Sequence, residues 1–301
     1  MIKIDYSQEQ KNEIESLYWK WFKKYHLKEF KDLIKKDNVF IRHIKLKLID
    51  EDEIKAYIFA GPDTLAELVD NVDMDEQKIK KETEDYILKR YKNIRKTVAP
   101  KILEALSIKT CLYCNQNYVY SYNKKGIKCI NGELDHFYNK SNYPDLAICL
   151  YNLIPCCSAC NKLKSNQQFE SINPYDSEAQ YQSVFHTSFN DDIDLNYLIG
   201  LSNNFQIDIN TNNASKEELE EIEKLSIKQR YQHIEKAKNI IVKSMMYNKL
   251  YVESVKKNFD IDMLEQSELL KYFFDIHERD SENSFSKFNK DILKEFIDFD
   301  F

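Results

Sequence analysis

Two cysteine pairs, Cys111-Leu-Tyr-Cys114 and Cys157-Ser-Ala-Cys160, are the residues of this 301-residue chain best spaced to do chemistry. Two intervening residues let both thiolates of a pair turn onto one ion. Four thiolates suit the tetrahedral shell of a structural zinc. An iron–sulphur cluster can use the same ligands. Cys156 adjoins Cys157 and competes for its place, but the Cys157/Cys160 register is the one that repeats the Cys111/Cys114 spacing. Cys129, Cys149 and Cys156 are then expected as small buried hydrophobes. Between the pairs lies Leu134-Asp135-His136-Phe137, and Asn161 directly follows the last cysteine. Asp135, His136 and Asn161 do nothing for the zinc. A carboxylate such as Asp135 can hold a hard divalent cation, a neutral imidazole such as His136 can take a proton from water, and Asn161 offers the cation a further neutral oxygen. A cation and a base together are what phosphodiester hydrolysis needs.

Composition agrees with metal rather than disulfide chemistry. The seven cysteines all fall before Asn161, whereas a disulfide framework would spread them more widely. The opening Met1–Ser7 holds no apolar signal region, and no 18-residue apolar run occurs, so a cytoplasmic protein without a membrane helix is expected. Net charge is −6, but it is unevenly spread. Residues 1–79 carry 14 basic and 17 acidic side chains, residues 80–170 carry 15 and 8, and residues 171–301 carry 15 and 25. The segment holding the cysteine pairs is the only basic one, and it is the one that would attract a polyanion. No glycine-rich phosphate loop is present, which argues against a Walker-type nucleotide site.

The elements that must carry these residues can be read in outline. With 4 Gly and 5 Pro, the chain should be mostly helical. Ser7 with Gln10 forms a capping box for one or two helices over residues 8–36, with Ile14, Leu17, Tyr18, Trp21, Phe22 and Tyr25 as an aromatic core stripe. Residues 39–49 are ambiguous between helix and strand. Residues 50–59 read as a short helix, and another follows the turn at Gly61-Pro62. A long helix is expected from Asp75 towards Val98, with Lys89, Arg90, Lys92, Arg95 and Lys96 near its end, and Pro100 restarts it. Tyr118–Tyr122 and Ile127–Ile130 flank Asn123-Lys-Lys-Gly126 as a hairpin. Short strands follow at Glu133–Phe137 and Asn152–Cys156, then a short helix from Ser158 to about Lys164. Strand-like pieces at residues 183–185 and 204–209 are expected to add beside this metal-bearing part. Ser215 with Glu218 caps a helical C-terminal part, read as residues 216–258 with one break, then 262–276 and 284–297.

Strand, loop, strand and helix around Leu134-Asp-His-Phe-Tyr-Asn-Lys-Ser, Tyr143-Pro144 and Asn152-Leu-Ile-Pro-Cys-Cys-Ser-Ala-Cys-Asn-Lys-Leu-Lys164 resemble a zinc-containing HNH endonuclease. The resemblance covers residues 111–166, or as far as Asn173-Pro-Tyr. It implies a ββα-metal core that cuts DNA with one catalytic divalent cation, Mg²⁺ or Mn²⁺. It implies His136 as general base, Asp135 and Asn161 as cation ligands, Asn152 as the residue that ties the loop and orients the base, and Lys164 as a phosphate-facing lysine. Asn161 stands where many members of the family have His, which bears on metal preference. The wording around His136–Pro144 and Asn152–Cys156 also resembles nucleases of bacterial anti-phage systems, the Septu type among them, which work beside an ATPase. That likeness implies helical flanks that dock a partner subunit and restrain the nuclease.

The expected fold is therefore α+β: a mostly helical chain with a central zinc-stapled ββα-metal core. Residues 1–108 would form a helical N-terminal region, 109–213 the nuclease domain with added strands, and 214–301 a helical C-terminal region. The competing expectation keeps the zinc but makes the chain a non-catalytic nucleic-acid- or protein-binding subunit of a defence complex.

Overall fold

Ser7 fixes where the first helix begins. Its hydroxyl accepts the Gln10 N–H at 3.2 Å, while the Gln10 carboxamide accepts the Ser7 N–H at 3.1 Å, so two otherwise unpaired amides are satisfied reciprocally. The computed structural model describes residues 2–70, 72, 78–165, 171–189, 195–247, 249–259 and 266–297. Its N-terminal part comprises α1 (Gln8–Tyr25), α2 (Leu27–Ile34), α3 (Asn38–His43), α4 (Glu51–Ile58), α5 (Pro62–Asp70), α6 (Lys81–Thr97) and α7 (Ala99–Ala105). Ile14, Tyr18, Trp21, Phe22, Phe30 and Ile34 are buried as the helical spacing requires, but Tyr25 leaves the stripe and is 59% exposed. The ambiguous residues 39–49 resolve in favour of helix at α3. Asp37 decides it, because its carboxylate caps the Phe40 N–H at 3.1 Å and also takes the Lys80 N–H at 2.8 Å. The expected helix start at Asp75 lies outside the described residues; α6 is described from Lys81.

Next come the strands β1 (Tyr120–Lys124), β2 (Ile127–Asn131), β3 (Glu133–His136) and β4 (Leu153–Cys156), then α8 (Ser158–Lys164). β1 and β2 form a hairpin with Lys124 opposite Ile127. Lys125 and Gly126 both take positive φ, 52° and 82°, the geometry that matches a two-residue turn to strand twist. Gly132 joins the hairpin to β3 at φ +134°, and a Cβ there would sit 2.7 Å from the Val119 side chain. β3 pairs antiparallel with β4, Asp135 opposite Ile154 and His136 opposite Leu153, and α8 returns across β3. The expected strand–loop–strand–helix order is thus the order built.

β5 (Val184–Ser188), α9 (Leu195–Leu198), β6 (Gln206–Asn210), α10 (Lys216–Lys224), α11 (Ile227–Arg230), α12 (Ile234–Met246), α13 (Lys249–Phe259), α14 (Gln266–Phe274) and α15 (Ser286–Lys294) complete the chain. β5 and β6, which fall on the expected strand-like pieces, pair only with each other among the described strands. β5 lies on α15, where Asp291 and Glu295 accept the backbone amides of Phe185 and Thr187 at 3.0 and 2.8 Å. The long C-terminal helix expected over 216–258 breaks more often than once, first at Ser226, which adopts φ +52°. The expected helix over 262–276 is described only from Gln266, since 262–265 lie outside the described residues. The fold is α+β with small antiparallel sheets, and no helix among the described residues is long and apolar enough to cross a membrane.

Candidate metal centre and the adjoining His–Asp site

Cys111 and Cys114 sit on the turn before β1, and Cys157 and Cys160 open α8. All four thiols are buried, with their Sγ atoms within 4.8 Å of one another. Cys157 caps α8 itself, its sulphur accepting the Cys160 N–H at 3.5 Å. Donors surround the group. Asn117 Nδ2 donates to Cys157 Sγ at 3.3 Å, and Arg230 Nη1 donates to Cys160 Sγ at 3.2 Å. Hydrogen bonds from Cys111, Cys114 and Cys160 hold the Cys157 thiol far below the usual thiol range. Four crowded, ionisable sulphurs with donors behind them fit a metal such as zinc, because a dication removes their mutual repulsion and outer donors stabilise the thiolates. Cys149 and Cys156 are buried as expected of spare thiols, but Cys129 is half-exposed on β2 because its strand face has no cover.

His136 and Asp135 point to opposite sides of β3, as strand alternation requires. His136 is 4% exposed. Its Nε2 lies 3.2 Å from the Ala147 carbonyl, which only accepts, so Nε2 carries the proton and Nδ1 holds the basic lone pair. The Tyr91 ring of α6 packs on the imidazole with centroids 4.3 Å apart. Tyr91 is pinned by its hydroxyl, which donates to the Leu134 carbonyl at 2.6 Å, and Arg95 bonds the Gly132 carbonyl at 2.7 Å and Glu133 at 2.6 Å. Burial, then the nearby Lys140 charge, lowers His136 to about 3, so its ring is neutral across the physiological range.

The loop that presents Ala147 is braced from two directions. Asn152 is fully buried; its Oδ1 accepts the Tyr138 N–H at 2.8 Å and its Nδ2 donates to the Leu146 carbonyl at 3.0 Å. The N-terminal helices supply the rest. Tyr18 of α1 donates to the Ile148 carbonyl at 2.6 Å, and Tyr57 of α4 donates to the Asp145 carbonyl. The helical part and the His136 loop are therefore one construction.

On the other side of β3, Asp135 Oδ2 accepts the Tyr113 hydroxyl at 2.7 Å and pairs with Lys164 Nζ at 2.7 Å. Lys164 is 2% exposed and donates also to the His136 and Phe137 carbonyls at 2.7 and 3.1 Å, which uses all three of its N–H groups. Asn161, one turn before Lys164 on α8, is half-buried, and its carboxamide makes no hydrogen bond among the described residues. The residues expected to hold a catalytic divalent cation do not fit one in this arrangement. Asp135 already has a resident cation in Lys164, and Lys164 faces Asp135 rather than solvent. Tyr91, Tyr113 and the Ala147 carbonyl were missed from sequence. Each reaches the site through tertiary packing, and only Tyr113, set inside the first cysteine pair, carried a local hint.

Beneath the site α10 holds two further buried acids, Glu218 and Glu221. Glu218 is satisfied by the Gln182 and Ser183 amides at 2.9 and 3.0 Å, whereas both Glu221 carboxyl oxygens are buried with no hydrogen-bonding side chain. Burial raises Glu221 from 4.5 to about 8. The folded pKa is above the unfolded one, so the contribution to stability is full below pH 4.5 and is lost as pH rises towards 8. Glu221→Gln cannot ionise. Its thermal midpoint is expected to match the parent near pH 5 and to exceed it at pH 8, by about 1–3 kcal/mol of stability. Equal midpoints at pH 8 would show that the acid ionises freely in the folded chain.

Comparison with protein-family models, with characterised proteins and with solved structures gives no match to this chain.

Proposed function

We propose that this chain is an HNH-type endonuclease that hydrolyses phosphodiester bonds in DNA, its core stapled by zinc on Cys111, Cys114, Cys157 and Cys160. The observation that carries the reading is the set of roles around His136. A strand–loop–strand–helix presents one imidazole, a backbone carbonyl fixes its tautomer, and a buried Asn ties the loop that supplies the carbonyl. His136 Nδ1 is the nitrogen that takes the proton of the attacking water. The ring is 4% exposed with Tyr91 packed on it, so water reaches Nδ1 only where that cover opens. The resemblance brings a Mg²⁺ or Mn²⁺ requirement. Because Lys164 is bound to Asp135, we assign no step through that ion. The wording around His136–Pro144 extends the proposal to bacterial anti-phage defence in the cytoplasm, beside an ATPase subunit.

One observation favours the alternative, a zinc-stapled subunit that binds nucleic acid or protein without cutting: Asp135, His136 and Lys164 are each at most 6% exposed. A cleavage assay on supercoiled and linear DNA, with and without Mg²⁺ or Mn²⁺, separates the two. Metal-dependent nicking that falls about 10²–10⁴-fold in His136→Ala is the expected result. A His136→Ala protein that melts normally and still cuts would remove His136 from the reaction. Absence of cutting by the parent, alone and with a purified ATPase partner, would leave the binding subunit.

A further inference from the structure

The β1–β2 hairpin takes no part in the site above, yet it gathers side chains that a folded protein normally hides. Its inner face is spent on α7: Ser121 donates to Glu104 at 2.6 Å and Lys128 pairs with the same carboxylate. Its outer face is bare. Tyr120 and Tyr122 are 40 and 41% exposed, Tyr118 just before them 53%, and Ile127 across the turn 64%. The Tyr120 and Tyr122 rings stand 6.3 Å apart, the spacing of alternate residues on one strand face. Beside them a cavity of about 430 Å³ is lined by Leu103, Ile108, Tyr118 and Tyr120, with Ser107 and Lys109 adding polar groups. Glu104, also on its wall, is neutralised by Lys128.

Charge selects among possible occupants. No Asp or Glu occurs between Glu104 and Glu133, a stretch that holds Lys109, Lys124, Lys125 and Lys128. Lys109, Lys124 and Lys125 are exposed and in no ion pair among the described residues. Aromatic rings at regular spacing with lysines beside them are what single-stranded nucleic acid requires, since every base offers a π-face and every linkage a negative charge. A protein partner fits less well, because a standard interface covers about 800 Å² per side, more than one five-residue strand pair offers. The position also suits a substrate path. Asn131, opposite Tyr120, precedes His136 by five residues, so the two lie within about 18 Å along the chain.

We propose that the outer face of β1–β2 is a platform for single-stranded DNA. Tyr122 and Tyr120 stack on successive bases, the cavity takes one unpaired base against Tyr118, and Lys109, Lys124 and Lys125 meet the phosphates. The choice of DNA rests on the nuclease reading; the platform itself does not need cleavage.

The test is fluorescence anisotropy with a labelled mixed-sequence 20-nucleotide DNA strand, its blunt duplex and the matching RNA. It uses full-length His136→Ala protein with no divalent ion added. The single strand should bind about ten-fold or more tighter than the duplex. Tyr120→Ala/Tyr122→Ala should weaken it about ten- to hundred-fold with the melting temperature unchanged. Lys124→Glu/Lys125→Glu should weaken it and flatten the salt dependence. Photo-crosslinking of a 5-iodouracil strand to parent protein should mark residues 118–122, and needs no variant to fold. Equal binding by the tyrosine variant, a duplex bound as tightly as the strand, or crosslinks elsewhere would each overturn the platform. Preferred binding of the RNA would overturn the DNA assignment. Failure of the nuclease reading looks different: strand binding intact and tyrosine-dependent, with no cutting by the parent.

Discussion

Cys160→Ala, or removal of metal from the parent by a thiol-competent chelator, is expected to abolish cooperative folding of residues 109–165. Structural zinc contributes about 10–16 kcal/mol in small thiolate sites, which matches or exceeds the whole stability of an ordinary domain. The regular structure of this segment is short: β3 and β4 are four residues each and α8 is seven. The loss should spread, because the turn after Cys114 is a structural hub. Asn115, at φ +50°, donates to the Asp280 and Asn283 carbonyls at 2.8 and 3.0 Å and accepts the Phe285 N–H on its own carbonyl at 2.6 Å. Tyr231 bonds the Cys114 carbonyl, and the Ile2 N–H reaches the Leu112 carbonyl at 3.0 Å. One zinc per chain by elemental analysis, and collapse of hydrogen-exchange protection over 109–165 in Cys160→Ala with weakening over 280–290, are the expected readings. A metal-free parent that melts cooperatively would remove zinc from the structure. A Cys160→Ala melt within a few degrees of the parent would do the same.

That centre was legible because its information is local. Ligand spacing, cap residues and strand alternation are written within a few residues of each other, so the two cysteine pairs, β3, β4, α8 and the Ser7 cap could all be read directly. What escaped was decided at long range. Asp37 caps α3 on the Phe40 N–H, and its other carboxylate oxygen is engaged by the Lys80 N–H, more than forty residues away. Ser226 breaks the C-terminal helix in a left-handed conformation without a glycine to announce it. The environment of the expected base comes from Tyr91, Tyr18 and Tyr57, which reach it from α6, α1 and α4 through tertiary packing. The type and order of the site's residues were therefore readable, whereas their exposure and pairing were not. That distinction matters most for Lys164, whose position on α8 suits a phosphate and whose ammonium is buried on Asp135.

Lys164→Met is accordingly expected to cost about 3–5 kcal/mol, because it strands the Asp135 carboxylate in a site where it is 6% exposed. Met keeps the length of the aliphatic stem and its packing, so the loss reports the charge and its three hydrogen bonds. For a chain of this size that is a fall of about 6–20 °C in melting temperature. The double variant Asp135→Asn/Lys164→Met removes both charges, and should recover at least half of the loss. The coupling between the two positions separates an ion pair from two independent contributions. The single variant also bears on the proposed reaction. With Lys164 gone, the Asp135 carboxylate is left without its cation, so millimolar Mn²⁺ should raise the melting temperature of Lys164→Met and leave the parent unchanged. Stabilisation of both proteins by Mn²⁺ would mean that a divalent ion displaces Lys164 readily and that the buried pair is only the resting arrangement. Stabilisation of neither, with the ion-pair coupling intact, would make Asp135 and Lys164 a structural pair and shift the weight of the proposal to the subunit that binds without cutting.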